Sequence, residues 1–387
     1  MRITLVHFSA SPIIGGVEAV LGAHARLFRL ASHDVVIAAR RGAPDFLLQG
    51  DDPLQDLTLA VQGSDVVIAH NVLTMPFDMP LTRALWALAE KLPSTRWISW
   101  VHDVAAANPD YPYAWHRPPW DLLARACPHF SYVAVSSQRA RQMEAYARVA
   151  VQVVPNGVMP TEVLGLTSAV ANFAMQHRLL NRDLVLFHPT RLLRRKNVEF
   201  GLEVIAELRR RGRDAVTLIT GAADPHNEKS AQYAAALLER RSQLGLEDAA
   251  LFVGDHFPVA PLDLTGLYQL ADALFFPSRQ EGFGLPVLEA ALHRLPVFCA
   301  DIEPMNCLLD HSLHVFDPEG SPSEVATLIQ RTLDRSPTHR ARREVIARYA
   351  WDAVWRQYLE PLLSGKSVPS SECPKSSTDR PDFASGI

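Results

Sequence analysis

Two glutamates eight positions apart, Glu281 and Glu289, bracket a tight corner in the stretch SRQEGFGLPVLEA, residues 278–290. Pro286 suits the first turn of a helix, where its missing N–H needs no partner. Glu281 is therefore expected in a loop and Glu289 about one turn into the helix. Glycines on both sides of Phe283 let the backbone N–H groups of Phe283, Gly284 and Leu285 meet a ligand without side-chain obstruction. Carboxylates accept hydrogen bonds from neighbouring hydroxyls, while amides and nearby cations hold oxygens of a sugar or phosphates. One of the two acids could instead serve only the positive end of the helix.

Upstream, FHPTRLLRRKNVEF (187–200) sets Arg191 and Lys196 ahead of a helix. Asn197 stands at the cap position, Val198, Leu202, Ile205 and Leu208 share one apolar face, and Gly212 ends the pattern. Cations ahead of a helix start oppose its dipole, so the cluster is easiest to understand if a diphosphate joins them. With Arg194 and Arg195 beside them, they also fit a solvated basic loop. In the first half, SASPIIGGVEAV (9–20) places Gly15 and Gly16 where helix N–H groups could approach a phosphate. A plain helix-opening turn fits those glycines equally well, because the spacing is not G-x-G-x-x-G. WVHDVAAAN (100–108) exposes His102 at a strand end, and HNVLTM (70–75) puts His70 and Asn71 on the same rim. His70, Asn71, Trp100 and Asp103 are the candidates for contacting a second substrate. Trp97, Trp100, Tyr111, Tyr113, Trp115 and Trp120, in a segment stiffened by Pro109, Pro112, Pro118 and Pro119, offer faces suited to stacking on a sugar, although several of these rings equally suit the core.

Positioning these groups falls to short strands that are apolar on both faces: 2–8, 34–39, 65–69, 96–101, 132–136 and 151–154, then 184–188, 216–220, 250–253, 273–276, 297–300 and 313–316. Helical patterns fill the gaps, which predicts two doubly wound α/β domains with parallel sheets. In such sheets ligands bind beyond the carboxyl ends of the strands. VVPNGVMP (153–160) supplies turn chemistry for a join, so the domains are expected at 1–156, with about 350–365 returning to it, and 157–349. Residues 348–363 read as one amphipathic helix carrying Trp351, Trp355 and Leu359, and 366–387 as a disordered tail.

Bulk properties narrow the function classes. The 387 residues exceed one ordinary core, and a net charge of −4 with 13 basic and 13 acidic residues in the first 155 gives no pull toward nucleic acid or anionic lipid. Cys127, Cys299, Cys307 and Cys373 lack C-x-x-C spacing and read as reduced thiols. No secretory signal pattern opens the chain, so a cytoplasmic location is expected.

EGFGLPVLEA with its two glutamates, TRLLRRKN, VVPNGV and SWVH together resemble the retaining glycosyltransferases of family four, which have the two-domain GT-B architecture, over roughly residues 1–363. The resemblance implies two Rossmann-like domains facing across a cleft, with the last helix crossing back to the first. It further implies that Arg191 and Lys196 hold a donor diphosphate with Gly16 beside it, that Glu289 holds the ribose and Glu281 the hydroxyls of the transferred sugar. His102 matches the histidine beside the reacting carbon. A nucleotide diphosphate sugar, UDP-glucose or GDP-mannose, is the implied co-substrate, with no metal and no tightly bound cofactor. The implied partner is a saccharide or glycoside acceptor, with membrane contact at most peripheral.

Two features depart from the family pattern. Arg294 occupies the usual place of a small residue or glycine, and Asp224 with His226 has no assigned role. Fold does not fix function. An epimerase or hydrolase on the same scaffold, or a non-catalytic sugar-nucleotide-binding module, are the rival readings.

Overall fold

The computed structural model describes residues 1–221, 228–309 and 312–366. Asp224, His226, Cys373 and residues 367–387, including nearly all of the expected tail, lie outside them. Two compact units divide the chain: Met1–Gly157 with the residues from Trp351 on, and Val158–Ala350.

The first unit is built on seven strands: β1 (Arg2–Ser9), β2 (Asp34–Arg41), β3 (Phe46–Leu47), β4 (Val66–His70), β5 (Arg96–Val101), β6 (Phe130–Ala134) and β7 (Val151–Val153). They lie in the order β3-β2-β1-β4-β5-β6-β7, with Ile3 opposite Val35 on one side and Val66 on the other, both parallel. The two-residue β3 was not expected. β6 starts and stops two residues early, because Ser136 leaves the sheet to cap the next helix by accepting from the Arg139 N–H.

The second unit holds β8 (Leu184–His188), β9 (Ala215–Ile219), β10 (Ala250–Phe252), β11 (Ala273–Phe276), β12 (Val297–Ala300) and β13 (His314–Phe316). Their order is β10-β9-β8-β11-β12-β13, again parallel. Side chains alternate between two buried layers. Leu184, Leu186, Phe275 and Phe298 pack with Ile205 and Leu208 of the Val198–Arg210 helix, whereas Val185, Phe187, Leu274 and Phe276 pack with Leu267 and Leu270 of the Pro261–Leu270 helix. Burial on both faces is why these strands read as unbroken apolar runs.

In each sheet the strand order reverses once, between β1 and β4 and between β8 and β11. A crevice opens where the chain leaves neighbouring strands in opposite directions; Gly15, Gly16 and Asn71 lie beyond β1 and β4, Arg191, Lys196 and Glu281 beyond β8 and β11, and His102 and Asp103 beyond the adjoining β5.

The segment 348–363 is not one helix. Helix Pro337–Tyr349 ends at Ala350, whose backbone is extended, and the chain resumes as Trp351–Val354, a wider π turn at Trp355–Leu359 and Glu360–Leu363. Pro361 near the start of that last turn has no N–H for the preceding one, which favours the wider winding. Trp351 and Leu359 are buried as the pattern required, and Arg96 donates to the carbonyls of Leu362 and Leu363 at 2.9 and 2.8 Å, closing the helix end.

Candidate active site

In the second unit the loop after β8 and the loop after β11 meet through charge. Lys196 Nζ lies 2.5 Å from Glu281 Oε1, with both side chains nearly buried, and Arg195 adds a longer contact of 3.7 Å to the same carboxylate. Arg195 also donates to the Gln280 carbonyl at 3.0 Å, tying the two loops together. Lys196 sits 5.3 Å from the Phe276 ring centroid at the end of β11. Arg191 is exposed, and its guanidinium makes no ion pair or hydrogen bond with any described residue. The loop carrying it is held from behind by Gly221, where a Cβ would come within 2.4 Å of the Thr190 carbonyl oxygen and 2.9 Å of Arg191 Cα. Only glycine lets the two backbones approach so closely.

Asn197 departs from its expected capping role. It adopts the left-handed conformation, φ 53°, and its side chain donates to the Pro318 carbonyl at 3.0 Å. The Tyr233 hydroxyl accepts from the Val198 N–H at 3.2 Å instead, satisfying one of the free helix donors. The helix itself runs Val198–Arg210 with Val198, Leu202, Ile205 and Leu208 buried, as the spacing required.

Helix Leu285–Leu292 begins directly after Gly284, which has φ 98° and whose missing Cβ would sit 3.0 Å from Met305 Cγ. Glycine is needed there for both conformation and space. Phe283 and Leu285 are 52% and 60% exposed, and the N–H groups of Phe283, Gly284 and Leu285 donate to no described acceptor, so these amides stay available at a helix start. Glu289 lies one turn in and accepts from the Tyr268 hydroxyl at 2.7 Å. Arg294 closes the other end of this helix with φ 58°. Glycine adopts that conformation without steric cost, so the departure keeps the turn at a cost of about 1–2 kcal/mol.

The first unit carries a basin of about 1440 Å³ whose walls include His7, Ser9, Gly16, Glu18, Arg40, Asn71, Phe77, Asp78, Asp103 and Arg139. It spans the ends of β1 and β4. Gly15 precedes helix Gly16–Leu30, and the Glu18 carboxylate folds back so closely that a Cβ on Gly15 would meet it at 2.1 Å. Ser9 Oγ donates to that carboxylate at 2.5 Å and His7 Nε2 stands 3.8 Å away. The positive end of this helix is thus already faced by the protein's own anion, which corrects the reading of Gly15 as an open phosphate seat. Around Gly16 no atom lies within 4 Å of a built Cβ.

Asn71, with φ 58°, uses one oxygen to accept from the N–H groups of His102 and Asp103 at 3.0 and 2.8 Å. Asp103, half exposed, pairs with Arg139 at 3.0 Å, and Arg139 also donates to the His102 carbonyl at 3.1 Å. Arg40 pairs with Asp78 at 2.8 Å on another wall.

Trp100 and His70 are both fully buried, which removes them as groups an acceptor could touch. Trp100 points into the core, its ring 4.6 Å from His24 and 5.8 Å from His70. His102 is 8% exposed and is not part of the basin wall. It stands behind Asn71 and Asp103, with its Nε2 3.2 Å from His70 Nδ1.

Burial keeps these histidines uncharged. It pushes His102 down to about 4, with the His7 ring adding to the effect and Asp103 and Glu18 opposing it. His24 is pushed down to about 3 by burial and then by His102, and His70 well below its ordinary value by burial and then by His24. In the second unit His188, at the end of β8, falls to about 3 through burial and the Lys196 charge.

Four residues escaped the sequence reading: His7 near the end of β1, Glu18 in the first turn of helix Gly16–Leu30, Arg139 on a helix beyond β6, and Tyr268 behind Glu289. Only Glu18, next to the glycine pair, had a local signal in the first-turn acid of a helix. The others are brought in by tertiary packing. Among the described residues no group of three or more His, Cys, Asp or Glu side chains is placed to hold a metal ion. Likewise, no helix there is long and apolar enough to cross a membrane.

Residues 172–350 match the family described as glycosyl transferases group 1. Among curated relatives, the alpha-D-kanosaminyltransferase of Streptomyces kanamyceticus is 30% identical over 167 residues, 42% of this chain and 40% of that protein. The O-antigen chain mannosyltransferase RfbU of Salmonella typhimurium is 30% identical over 121 residues, 31% of this chain and 33% of that one. The matched segments thus span a third to two fifths of these relatives. A crystal structure of Anabaena HepE in complex with UDP-glucose aligns over 94% of this chain and 100% of its own, at 19% identity and a TM-score of 0.37. The match to the glycosyl transferases group 1 thus falls within the unit Val158–Ala350 and covers a little under half of the chain, including the basic cluster, Glu281 and Glu289.

Proposed function

We propose that the protein is a retaining glycosyltransferase that moves a hexose, glucose or mannose, from a UDP or GDP sugar to a hydroxyl of a saccharide or glycoside. The observation that carries this reading is the grouping at the reversal of the second sheet. Arg191, without a partner among the described residues, and the Lys196–Glu281 pair stand on its two strand-end loops, and the amides of residues 283–285, which donate to no described acceptor, lie between Glu281 and Glu289. The sugar names of the kanosaminyl- and mannosyltransferase relatives support a hexose donor.

In this reading Arg191, Lys196 and the loop amides take the charge that grows on the departing diphosphate. Losing one such donor costs about 3–4 kcal/mol, or a hundredfold or more in rate. Glu289 accepts from the ribose hydroxyls, and Glu281 from those of the transferred sugar once Lys196 turns to the phosphates. The anomeric carbon–diphosphate bond breaks, the acceptor oxygen bonds to the same face, and the acceptor proton passes to an oxygen of the leaving phosphate. His102, uncharged and nearly buried against His70, lies too deep to be the base. The first unit's basin, with Asp103, Asn71 and the Arg40–Asp78 pair, takes the acceptor in the cytoplasm. Its balanced charges suit a neutral polyol better than a lipid surface.

A panel of UDP and GDP sugars tested for thermal stabilisation is the deciding experiment. A cognate donor at a hundredfold its dissociation constant adds about 2.7 kcal/mol. Product analysis with and without acceptor then separates transfer from epimerisation or hydrolysis. Absence of stabilisation by every nucleotide sugar would sink the proposal.

A further inference from the structure

Glu289 is set by a residue outside the loop. Tyr268 belongs to helix Pro261–Leu270, is 2% exposed, and donates from its hydroxyl to Glu289 Oε2 at 2.7 Å. Its ring is clamped. Phe187 stands edge-on at 4.8 Å and 90°, and His293 stacks on it at 5.1 Å and 8°. His293 is in turn held through Nδ1 by the Gln269 amide at 3.2 Å. Burial and the adjacent Glu289 carboxylate keep the phenol protonated, so it remains a donor.

A rigid donor on one carboxylate oxygen fixes the rotamer of Glu289 and leaves Oε1 without a partner among the described residues. Two vicinal hydroxyls need a carboxylate of set orientation, and a free glutamate would have to lose rotamer freedom each time it bound them. We infer that Tyr268 is a positioning residue that orients Glu289 to recognise the vicinal diol of the donor's ribose, and so sets the preference for a ribonucleotide. This rests on the proposed donor site, and nothing in the glutamate-containing loop itself supplies the constraint.

The test compares binding of UDP and GDP with that of their 2′,3′-dideoxy analogues, by calorimetry, in the wild type, Tyr268→Phe and Glu289→Ala. Tyr268→Phe keeps the ring that fills the core, and Tyr268→Met is the second variant should Phe fold poorly. The expected result is a wild-type preference for the ribose form that Glu289→Ala abolishes and Tyr268→Phe cuts roughly three- to tenfold. The dideoxy affinity should stay unchanged in Tyr268→Phe, which a general structural defect would not allow. If Glu289→Ala abolishes the preference but both Tyr268 variants retain it, the positioning role is overturned while the donor reading stands. If Glu289→Ala retains the preference, or neither nucleotide binds the wild type, the donor-site reading fails and takes this inference with it.

Discussion

Lys196 and Glu281, 85 positions apart in sequence, form a 2.5 Å ion pair at the strand ends of the second unit. In the proposed reaction each must also serve the donor, the lysine a phosphate and the glutamate a hydroxyl. The donor therefore competes with a contact already made. Lys196→Ala is expected to lower kcat/KM a hundredfold or more. It should also destabilise the fold by about 1–3 kcal/mol, since it strands a nearly buried carboxylate. Adding Glu281→Gln should return most of the stability and none of the activity. Thermal melts beside donor kinetics check this, and a double variant no more stable than the single one counts against the pairing.

Arg191 and Arg279 make a contrasting pair of cations. Arg191 has no described partner, while Arg279 bridges Glu199 at 2.9 Å and the neighbouring Glu319 carboxylate. Arg191→Ala should change stability by less than about 0.5 kcal/mol, as surface substitutions usually do, and still weaken nucleotide diphosphate binding at least tenfold. Arg279→Ala should do the reverse, lowering the melting temperature with binding retained. Calorimetric titration with UDP and GDP separates the two, and normal affinity in Arg191→Ala would remove that residue from the site.

The buried histidines fix the sign of the acid response. His24, His102 and His188 have folded values of about 3, 4 and 3, below the ordinary 6.5. The unfolded chain therefore takes up protons that the folded one refuses. Stability is full above pH 6.5 and is lost as pH falls toward 4 and then 3, at up to about 1.4 kcal/mol per unit for each such group. His24→Phe keeps a ring against Trp100 and Trp351 and should flatten the slope by about one proton. Melts from pH 7.5 to 4 measure it, and an unchanged slope would show that His24 does not titrate on unfolding.

Two glycines give opposite predictions on insertion of a methyl group. Gly221→Ala forces a Cβ into the backbone of Thr190 and Arg191 and should cost about 1–3 kcal/mol while displacing the Arg191 loop. Gly16→Ala meets nothing within 4 Å and lies in a helix, where alanine is favoured by up to about 1 kcal/mol. Any loss of donor affinity in Gly16→Ala thus reports the space a phosphate needs, read as nucleotide affinity against melting temperature.

Much of the architecture was legible because doubly covered strands are apolar throughout. Runs 184–188, 273–276 and 297–300 coincide with β8, β11 and β12. That same uniformity hid which way Trp100 and His70 point, since both faces of β4 and β5 are apolar and alternation carries no information about the rim. Local chemistry located the Glu281 loop and the basic loop, where glycine, proline and charge leave short-range marks. Asn197 looked like a cap by type, but its left-handed backbone turned its side chain to Pro318 and left the capping to Tyr233, 36 positions away. Arg139, His7 and Tyr268 have no local mark at all. The break at Ala350 was invisible because the apolar period continues across it.

The Val158–Ala350 unit begins and ends at one place. Val158 and Ala350 are bridge partners, and in the other unit Gly157 lies so near Trp351 that a Cβ would strike its ring at 2.5 Å. Both chain crossings are therefore side by side, and the Val158–Ala350 unit is a cassette spliced into a host. A short peptide between Gly157 and Trp351 should suffice to seal the host after excision, so that the basin proposed to take the acceptor could be studied in isolation.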